Sequence, residues 1–315
     1  MDILNFLNEI KDEVNLTVSS NFKIEVIETE RVPSFDDSNI TYYNPLTKTK
    51  KCKRLESCVL YVDMRDSTKI SAAKRPATLA KIYSTFVSSM IQASRYFNGH
   101  VRNIIGDRVM VVYDRENCFL NAINTAILMN SINQYILKKK IKDFEFRCGI
   151  GIDYGNMLVT KAGTIRRGAE TEFYRSLVWL GKPANIASKL TDVANKTVFK
   201  KSDPLRQGNY FPLTQKWSWV DKSYEEFIDD LSPTFSQNLV HKDEYFSTFI
   251  KSSNLYSETP SPILITQAVY EGLKREHPSE QSIFNNWWNM QSVNVPNYNG
   301  NVFGGDIIYK AAEIL

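Results

Sequence analysis

Two aspartates stand where the chain pattern places a carboxylate at the end of a sheet. Asp63 directly follows a β-branched and apolar run, residues 57–62, which is typical of a buried strand. Asp107 follows Gly106 in the two-residue turn of a predicted hairpin. A carboxylate at a buried strand end is costly to desolvate, and two of them together repel each other unless a cation compensates them. Because Mg²⁺ takes one or two carboxylates plus phosphate oxygens, the pair indicates a site for such an ion.

The elements that would position these aspartates follow the order of a split-βαβ sheet. The predicted order is strand 57–62, helix 76–97, hairpin strands 100–105 and 108–113, helix 117–138, strands 144–152 and 157–160 with a turn at 154–156, strand 177–180 and helix 182–193. We therefore expect an α+β, ferredoxin-like fold with helices on one face of the sheet. In this topology the first strand lies beside the hairpin, so Asp63 and Asp107 converge at one end.

The other segments flank or interrupt this core. The predicted divisions are 1–56 as an N-terminal helix and lead-in, 57–195 as the core, 196–261 as an insertion, and 262–315 as the end of the core with a C-terminal extension. Residues 1–17 have helical spacing, whereas 18–56 are polar and predict an irregular or hairpin lead-in. The insertion has no steady period and is predicted to be helical only at 224–231. Residues 304–306 (Gly-Gly-Asp) are interpreted as a structural turn.

Five segments in sequence order resemble class III adenylate and guanylate cyclases. They are VLYVDMRDST, VRNIIGDRVMVVYD, RCGIGIDYGNMLV, WLGKPANIASKL and ILITQAVYEGL. Each segment alone is weakly specific, but five with coherent spacing form a strong signal. The resemblance implies a class III nucleotidyl cyclase catalytic domain that works as a head-to-tail homodimer. Its departures from the purine pattern look most like the bacterial Pycsar pyrimidine cyclases.

The resemblance also implies a chemistry, in which the ribose 3′-oxygen attacks the α-phosphorus in line and diphosphate leaves. By resemblance, Asp63, Asp107 and the Met64 carbonyl bind two Mg²⁺ or Mn²⁺ ions. Two further residues match the family's transition-state donors, which reach across the dimer interface. Asn185 stands at the asparagine position, and Lys189 stands where the family has arginine, so the charge is kept but the planar fork is lost.

The phosphates are expected to meet the loop after the first strand. Residues 65–68 (Arg65, Asp66, Ser67 and Thr68) lead towards a helix and are predicted to present backbone N–H groups to the β- and γ-phosphates. Arg147 is a further candidate for a phosphate contact, although it is offset from the family's strand pattern.

Base selection is where the chain departs from both purine classes. Adenylate cyclases have Lys and Asp, and guanylate cyclases Glu and Cys, at the positions of Asn103 and Val178. Asn offers a donor and an acceptor that suit a pyrimidine edge, whereas Val178 would leave a purine edge partly unpaired. These two residues therefore favour a pyrimidine substrate. The resemblance to the Pycsar cyclases implies conversion of UTP to cyclic UMP as an antiphage signal read by a separate effector. CTP is the second substrate considered, and a purine cyclase or an inactive nucleotide-binding module are the remaining alternatives.

Composition favours a protein of the cytoplasm that binds no nucleic acid and has no membrane span. The 39 basic and 35 acidic residues nearly balance, and the basic stretches at 48–54 and 138–142 are short, as in solvated loops or helix ends. An apolar run of membrane-spanning length is also lacking. Four cysteines occur without paired spacing, which is typical of reduced thiols in a cytoplasmic protein.

Overall fold

The chain folds into two separate units in a computed structural model, which describes residues 2–42, 48–141, 145–162, 176–202, 204–236, 238–251 and 254–314. The first unit comprises residues 1–196 and 260–315, and the second comprises residues 197–259. The first unit contains every residue that the sequence singles out for chemistry.

The helices and strands have the following bounds. The helices are α1 (Ile3–Val18), α2 (Ser67–Ala73), α3 (Pro76–Tyr96), α4 (Cys118–Ile132), α5 (Lys138–Lys140), α6 (Lys182–Val193), α7 (Tyr224–Asp229), α8 (Gln267–Glu276) and α9 (Gln281–Phe284). The strands are β1 (Lys23–Thr29), β2 (Thr49–Met64), β3 (His100–Ile105), β4 (Arg108–Val112), β5 (Cys148–Ala162), β6 (Ser176–Leu180), β7 (Val198–Ser202), β8 (Leu205–Phe211), β9 (Lys216–Lys222), β10 (Leu231–Pro233), β11 (Leu239–His241), β12 (Phe246–Lys251), β13 (Asn254–Glu258), β14 (Ile263–Thr266), β15 (Asn289–Met290) and β16 (Val302–Gly305).

A mixed sheet forms the centre of the first unit, in the order β15-β16-β14-β5-β2-β4-β3, with β1 also paired to β2 and β6 to β5. The strands β5-β2-β4-β3, together with α3 and α4, reproduce the split-βαβ arrangement. The α+β, ferredoxin-like fold predicted from the sequence is therefore confirmed. The antiparallel pairs β2–β4 and β2–β5 place the end of β2 between the β3–β4 turn and the start of β5.

Alternate residues of β2 pack on opposite faces of the sheet. Leu60 and Val62 lie in the main core with α3 and α4, whereas Val59 packs against Ala184 and Ala187 of α6 on the other face. The prediction of helices on one face only is therefore wrong. The spacing of apolar residues identifies the side of a helix that becomes buried. It does not determine against which face of the sheet the helix packs.

The two central strands are longer than predicted. β2 begins at Thr49 rather than at residue 57, because its first half pairs with β1 while keeping many polar side chains near solvent. β5 is continuous, so the turn predicted at 154–156 is wrong. Gly155 (φ +151°) lies within the strand, and an added Cβ would contact Pro183 at 3.1 Å. This glycine allows the start of α6 to approach the strand and does not form a turn.

The remaining differences lie in the second long helix and the tail. The helix predicted over 117–138 is α4, followed by a π-helical turn, Asn133–Leu137, before α5. Gly304 and Gly305 do not form a turn. They lie in strand β16 and pair with Leu264 and Ile263 of β14. The tail is held by Asn130, whose amide donates to Asp306 Oδ1 at 2.8 Å and to the Ile307 carbonyl at 3.0 Å.

The second unit is mainly β-structure. Its largest sheet has the order β12-β8-β9, and α7 is its one described helix, which begins with a capping box between Ser223 and Glu226. Phe227 of α7 lies 5.3 Å from Phe249 and 5.7 Å from Phe246, measured between ring centroids. The sequence signalled only the helix, because these short strands carry exposed polar residues without a regular alternation.

Among the described helices, none combines the length and the apolar character needed to cross a lipid bilayer.

We predict that Gly151→Ala lowers the free energy of unfolding by about 1–3 kcal/mol, the usual cost of overpacking. An added Cβ at Gly151 would meet the Ala187 carbonyl oxygen at 2.4 Å and the Thr191 amide nitrogen at 2.5 Å, so α6 would have to move. Urea unfolding measures the change. Ser84→Ala, on the exposed side of α3, is the control and should change stability by only a few tenths of a kcal/mol. Equal stability of both variants would contradict this close packing.

Candidate active site

The end of β2 and the β3–β4 turn bring Asp63 and Asp107 into direct interaction. Asp63 is the penultimate residue of β2, and its side chain is only 16% exposed. Asp107 lies in the turn, half-buried, next to both Asp63 and the Ser67 side chain. Burial of its carboxyl and then the negative charge of Asp63 raise the pKa of Asp107. The convergence expected from the topology is therefore present in the structure.

The two carboxylates fit a divalent cation. Asp107 Oδ2 is buried, and within the described part of the chain no hydrogen-bond donor satisfies it. A buried acceptor without a donor is costly, and mutual repulsion of the two carboxylates adds to that cost. Oxygen ligands of this kind are those that Mg²⁺ and Mn²⁺ prefer. Asp63 and Asp107 are therefore the residues that would hold such ions.

Met64 and Arg65 follow Asp63 and are both buried. Met64 ends β2, and its side chain packs in the main core. Arg65 turns towards the end of α6, where its Nε donates to the Ala194 carbonyl at 2.7 Å and its Nη2 donates to the Thr191 carbonyl. A cation at the C-terminus of a helix is favourable. The Arg65 backbone N–H also donates to the Arg147 carbonyl at 2.8 Å, so in this structure Arg65 holds α6 and β5 in place.

The loop after Arg65 enters helix α2. Asp66 adopts a left-handed conformation (φ +56°), and Ser67 and Thr68 form the first turn of α2. The Asp66 carboxylate accepts from Lys69 Nζ at 2.6 Å and lies 3.4 Å from Arg147 Nη2. Arg147 is thus placed beside the predicted phosphate loop, which keeps it compatible with the predicted phosphate role.

One residue of the site was not predicted from the sequence. Arg108, the first residue of β4, donates from Nη2 to Asp63 Oδ2 at 2.7 Å and also to Asp192 Oδ1 of α6. Its Nη1 donates to Ser188 Oγ at 2.9 Å. The signal in the sequence was an arginine directly after Asp107. Its partners on α6 could not be predicted, because they depend on the face of the sheet against which α6 packs.

Asn185 and Lys189 lie one turn apart on α6, as their spacing predicts. Asn185 is exposed, and Lys189 Nζ donates to the Pro296 carbonyl of the C-terminal tail at 3.0 Å. Within one chain, Ser188 and Asp192 of α6 are the acceptors that Arg108 links to Asp63. The described contacts do not bring Asn185 or Lys189 to the aspartate pair of the same chain.

Asn103 and Val178 lie in different rows of the sheet. Asn103 is exposed and pairs with Met110 of β4, which in turn pairs with Tyr61 of β2. Val178 is half-buried and pairs with Thr160 near the end of β5, at the other end of the strand pair. Among the described contacts, none joins these two side chains within one chain.

Comparison with known proteins gives relatives that are named as pyrimidine nucleotide cyclases. Over 227 residues the chain is 30% identical to a uridylate cyclase of Burkholderia cepacia, a match that covers 67% of this chain and 93% of that protein. Over 108 residues it is 36% identical to a cytidylate cyclase of Staphylococcus aureus, covering 31% of this chain and 25% of that protein. The chain belongs to the family of uridylate and cytidylate cyclases.

A further relative agrees with this family, and a solved structure agrees with the fold. A uridylate cyclase of Gulbenkiania mobilis is 29% identical over 181 residues, or 54% of this chain and 65% of that protein. The solved structure of a bacterial light-regulated adenylyl cyclase aligns with a TM-score of 0.50 at 12% identity, over 84% of this chain and 55% of that one, which supports the fold. No family model matches the chain.

We predict that Asp107→Asn stabilises the protein in EDTA at pH 7.5 by about 1–3 kcal/mol, because it removes a buried, unsatisfied charge beside Asp63. The raised pKa means that the folded state holds the Asp107 proton more tightly, so wild-type stability is lost as pH rises through that pKa. The advantage of the variant should therefore shrink towards pH 4. Urea unfolding at both pH values measures it.

Mn²⁺ provides the second readout of the same variant. It should raise the melting temperature of the wild type but not that of Asp107→Asn. Glu56→Gln, at the exposed ion pair with Arg115, is the control and should respond to Mn²⁺ as the wild type does. Equal stabilisation of Asp107→Asn by Mn²⁺ would remove Asp107 from the metal site.

Proposed function

We propose that this chain converts UTP to 3′,5′-cyclic UMP and diphosphate with the help of Mg²⁺ or Mn²⁺. The observation that carries the proposal is the meeting of Asp63 and Asp107 at one end of the sheet, with one buried carboxylate oxygen that receives no donor from the described residues. The relatives named uridylate cyclase supply the choice of UTP. CTP is the second candidate, supported by the relative named cytidylate cyclase.

The two aspartates would hold the divalent ions, which would supply activation of the ribose 3′-oxygen and positive charge for the triphosphate. Asp63 and Asp107 present fixed carboxylate oxygens at a partly buried site, where electrostatic interactions are stronger than in water. Ser67, in the first turn of α2, interacts with Asp107, and this turn with Thr68 would supply backbone N–H groups on the side where the phosphates would extend. Arg147 adds a positive charge beside that loop.

A second copy of the chain would complete the site. Asn185 is exposed on α6, and neither it nor Lys189 contacts the aspartate pair of its own chain. In a head-to-tail homodimer, both side chains would meet the triphosphate bound by the partner. An amide and an ammonium placed there would stabilise the charge that builds on the phosphoryl oxygens during transfer. Lys189 would leave the Pro296 carbonyl to do so.

Base choice would rest on Asn103 and Val178. The exposed Asn103 amide can donate to and accept from a pyrimidine edge, and the half-buried Val178 offers no hydrogen bond. The product would act as a second messenger on a separate effector protein, in an antiphage signalling system of the kind that the sequence resemblance implies.

The decisive experiment supplies the purified protein with Mn²⁺ and an equimolar mixture of the four nucleoside triphosphates, with the products identified by mass spectrometry. We expect cyclic UMP as the main product and its loss in Asp63→Ala. Circular dichroism of that variant checks that the fold is retained. Cyclic AMP as the main product would contradict the pyrimidine assignment. Activity that survives in Asp63→Ala would contradict the metal assignment.

The same assay tests the base-selecting residues. We predict that Asn103→Lys combined with Val178→Asp raises the ratio of cyclic AMP to cyclic UMP by about tenfold or more, because one hydrogen bond to a charged group contributes about 1.5–3 kcal/mol. Lys and Asp are the residues of the adenylate cyclase pattern at these positions. Arg115→Gln, away from the site, should leave the ratio unchanged. An unaltered ratio in the double variant would show that other residues select the base.

A further inference from the structure

Arg108 connects the Asp63 carboxylate to helix α6. Its guanidinium donates to Asp63 Oδ2 at 2.7 Å, to Ser188 Oγ at 2.9 Å and to Asp192 Oδ1. A planar fork with five donors is suited to hold acceptors from two different elements at once, which an ammonium group does less well. A single side chain therefore joins the end of β2 to two positions of α6.

The contact with Asp63 uses an oxygen that the proposed function assigns to a divalent cation. The Arg108 side chain is 24% exposed and that of Asp63 is 16% exposed, so the pair is only partly screened by water. A positive charge at this distance lowers the affinity of a carboxylate for a second cation. Without metal, Arg108 thus supplies part of the positive charge that Asp63 and Asp107 require.

The contacts with α6 give Arg108 another set of partners. Ser188 and Asp192 lie three and seven residues after Asn185, so they form one polar stripe with it. Arg108 therefore holds the stripe that carries Asn185. A guanidinium displaced from Asp63 would still have Asp192 and Ser188 as acceptors, so metal binding would not leave it buried without a partner.

We propose that Arg108 is a positioning residue that competes with the divalent cation for Asp63 and ties α6 to the metal site. This rests on the proposed function and adds a residue to it. Binding of metal at Asp63 releases one end of the link, and Arg108 then contacts α6 alone. Metal occupancy in one chain is thereby coupled to the helix whose Asn185 serves the partner copy.

The test measures Mn²⁺ binding to the full-length chain without nucleotide, from the electron paramagnetic resonance signal of free Mn²⁺. Arg108→Gln should bind Mn²⁺ about tenfold more tightly, which corresponds to about 1.4 kcal/mol. The same variant should have a lower kcat with UTP, because α6 loses its tether. If Arg108 had a purely structural role, its loss would lower both the Mn²⁺ affinity and kcat. A rise in Mn²⁺ affinity together with a fall in kcat therefore identifies the proposed role. Arg115→Gln, which loses an arginine–carboxylate pair elsewhere, should match the wild type in both.

Unchanged or weaker Mn²⁺ binding by Arg108→Gln would overturn the proposal. Asp63→Asn separates this result from a failure of the proposed function: if it binds Mn²⁺ as well as the wild type does, the metal site itself has been misassigned. Should Arg108→Gln not fold, Asp192→Asn tests the link from the other end. Arg108 would then remain with Asp63 and Mn²⁺ binding should weaken, whereas binding equal to the wild type contradicts the competition.

Discussion

The repulsion between two carboxylates at one end of a sheet is the constraint on which the rest of this site depends. Asp63 and Asp107 interact directly, and one oxygen of Asp107 is buried without a donor from the described residues. Such an arrangement is unfavourable for folding unless another interaction compensates it. The sheet tolerates it because β2 is paired on both edges along much of its length, which fixes the end of the strand. An unfavourable contact of this kind is typical of a functional site.

Helix α6 depends on the same end of the sheet. Gly149 leaves room for the Arg65 guanidinium, because an added Cβ would lie 1.8 Å from Arg65 Nη2. Gly151 leaves room for the α6 backbone, and Arg65 then donates to the carbonyls that end the helix. On its outer side, α6 packs against Val295 and Val302 of the C-terminal segment. Its position is thus set by the residues that flank Asp63 and by the tail, so a change near Asp63 has a direct path to the helix.

Much of this could be predicted from the sequence because the signals are local. An apolar run followed by Asp63, and a Gly-Asp turn between two strands, suffice to predict that the aspartates converge, once the order of elements is known. The bounds of α6 follow equally from its apolar spacing, which matches Lys182–Val193. Arg108 could not be predicted in the same way. Its role comes from α6 covering the face opposite to α3 and α4, and no local pattern encodes that choice.

The misplaced strand boundaries have a related cause. The first half of β2 contains Lys50, Lys51, Lys53 and Arg54, which by composition favour a solvated loop. In the structure these four residues are half-buried or exposed, and pairing with β1 extends the strand to Thr49. Gly155 led to the opposite error, in which a turn was predicted inside a continuous strand. A glycine between Tyr154 and Asn156 is typical of a turn. Here it is needed for contact with another element, which only the tertiary structure reveals.

The polar stripe of α6 has two edges, and this arrangement suggests why one chain would need a second. Ser188 and Asp192 face the chain's own Asp63 through Arg108, whereas Asn185 is exposed and Lys189 is held at the tail. A helix presents one orientation at a time, so the same residues cannot serve both sites. If the edge towards Asp63 positions the helix, the edge with Asn185 remains free to act on a neighbouring copy. A head-to-tail pair would use both edges twice, and each metal site would then set the helix that completes the other.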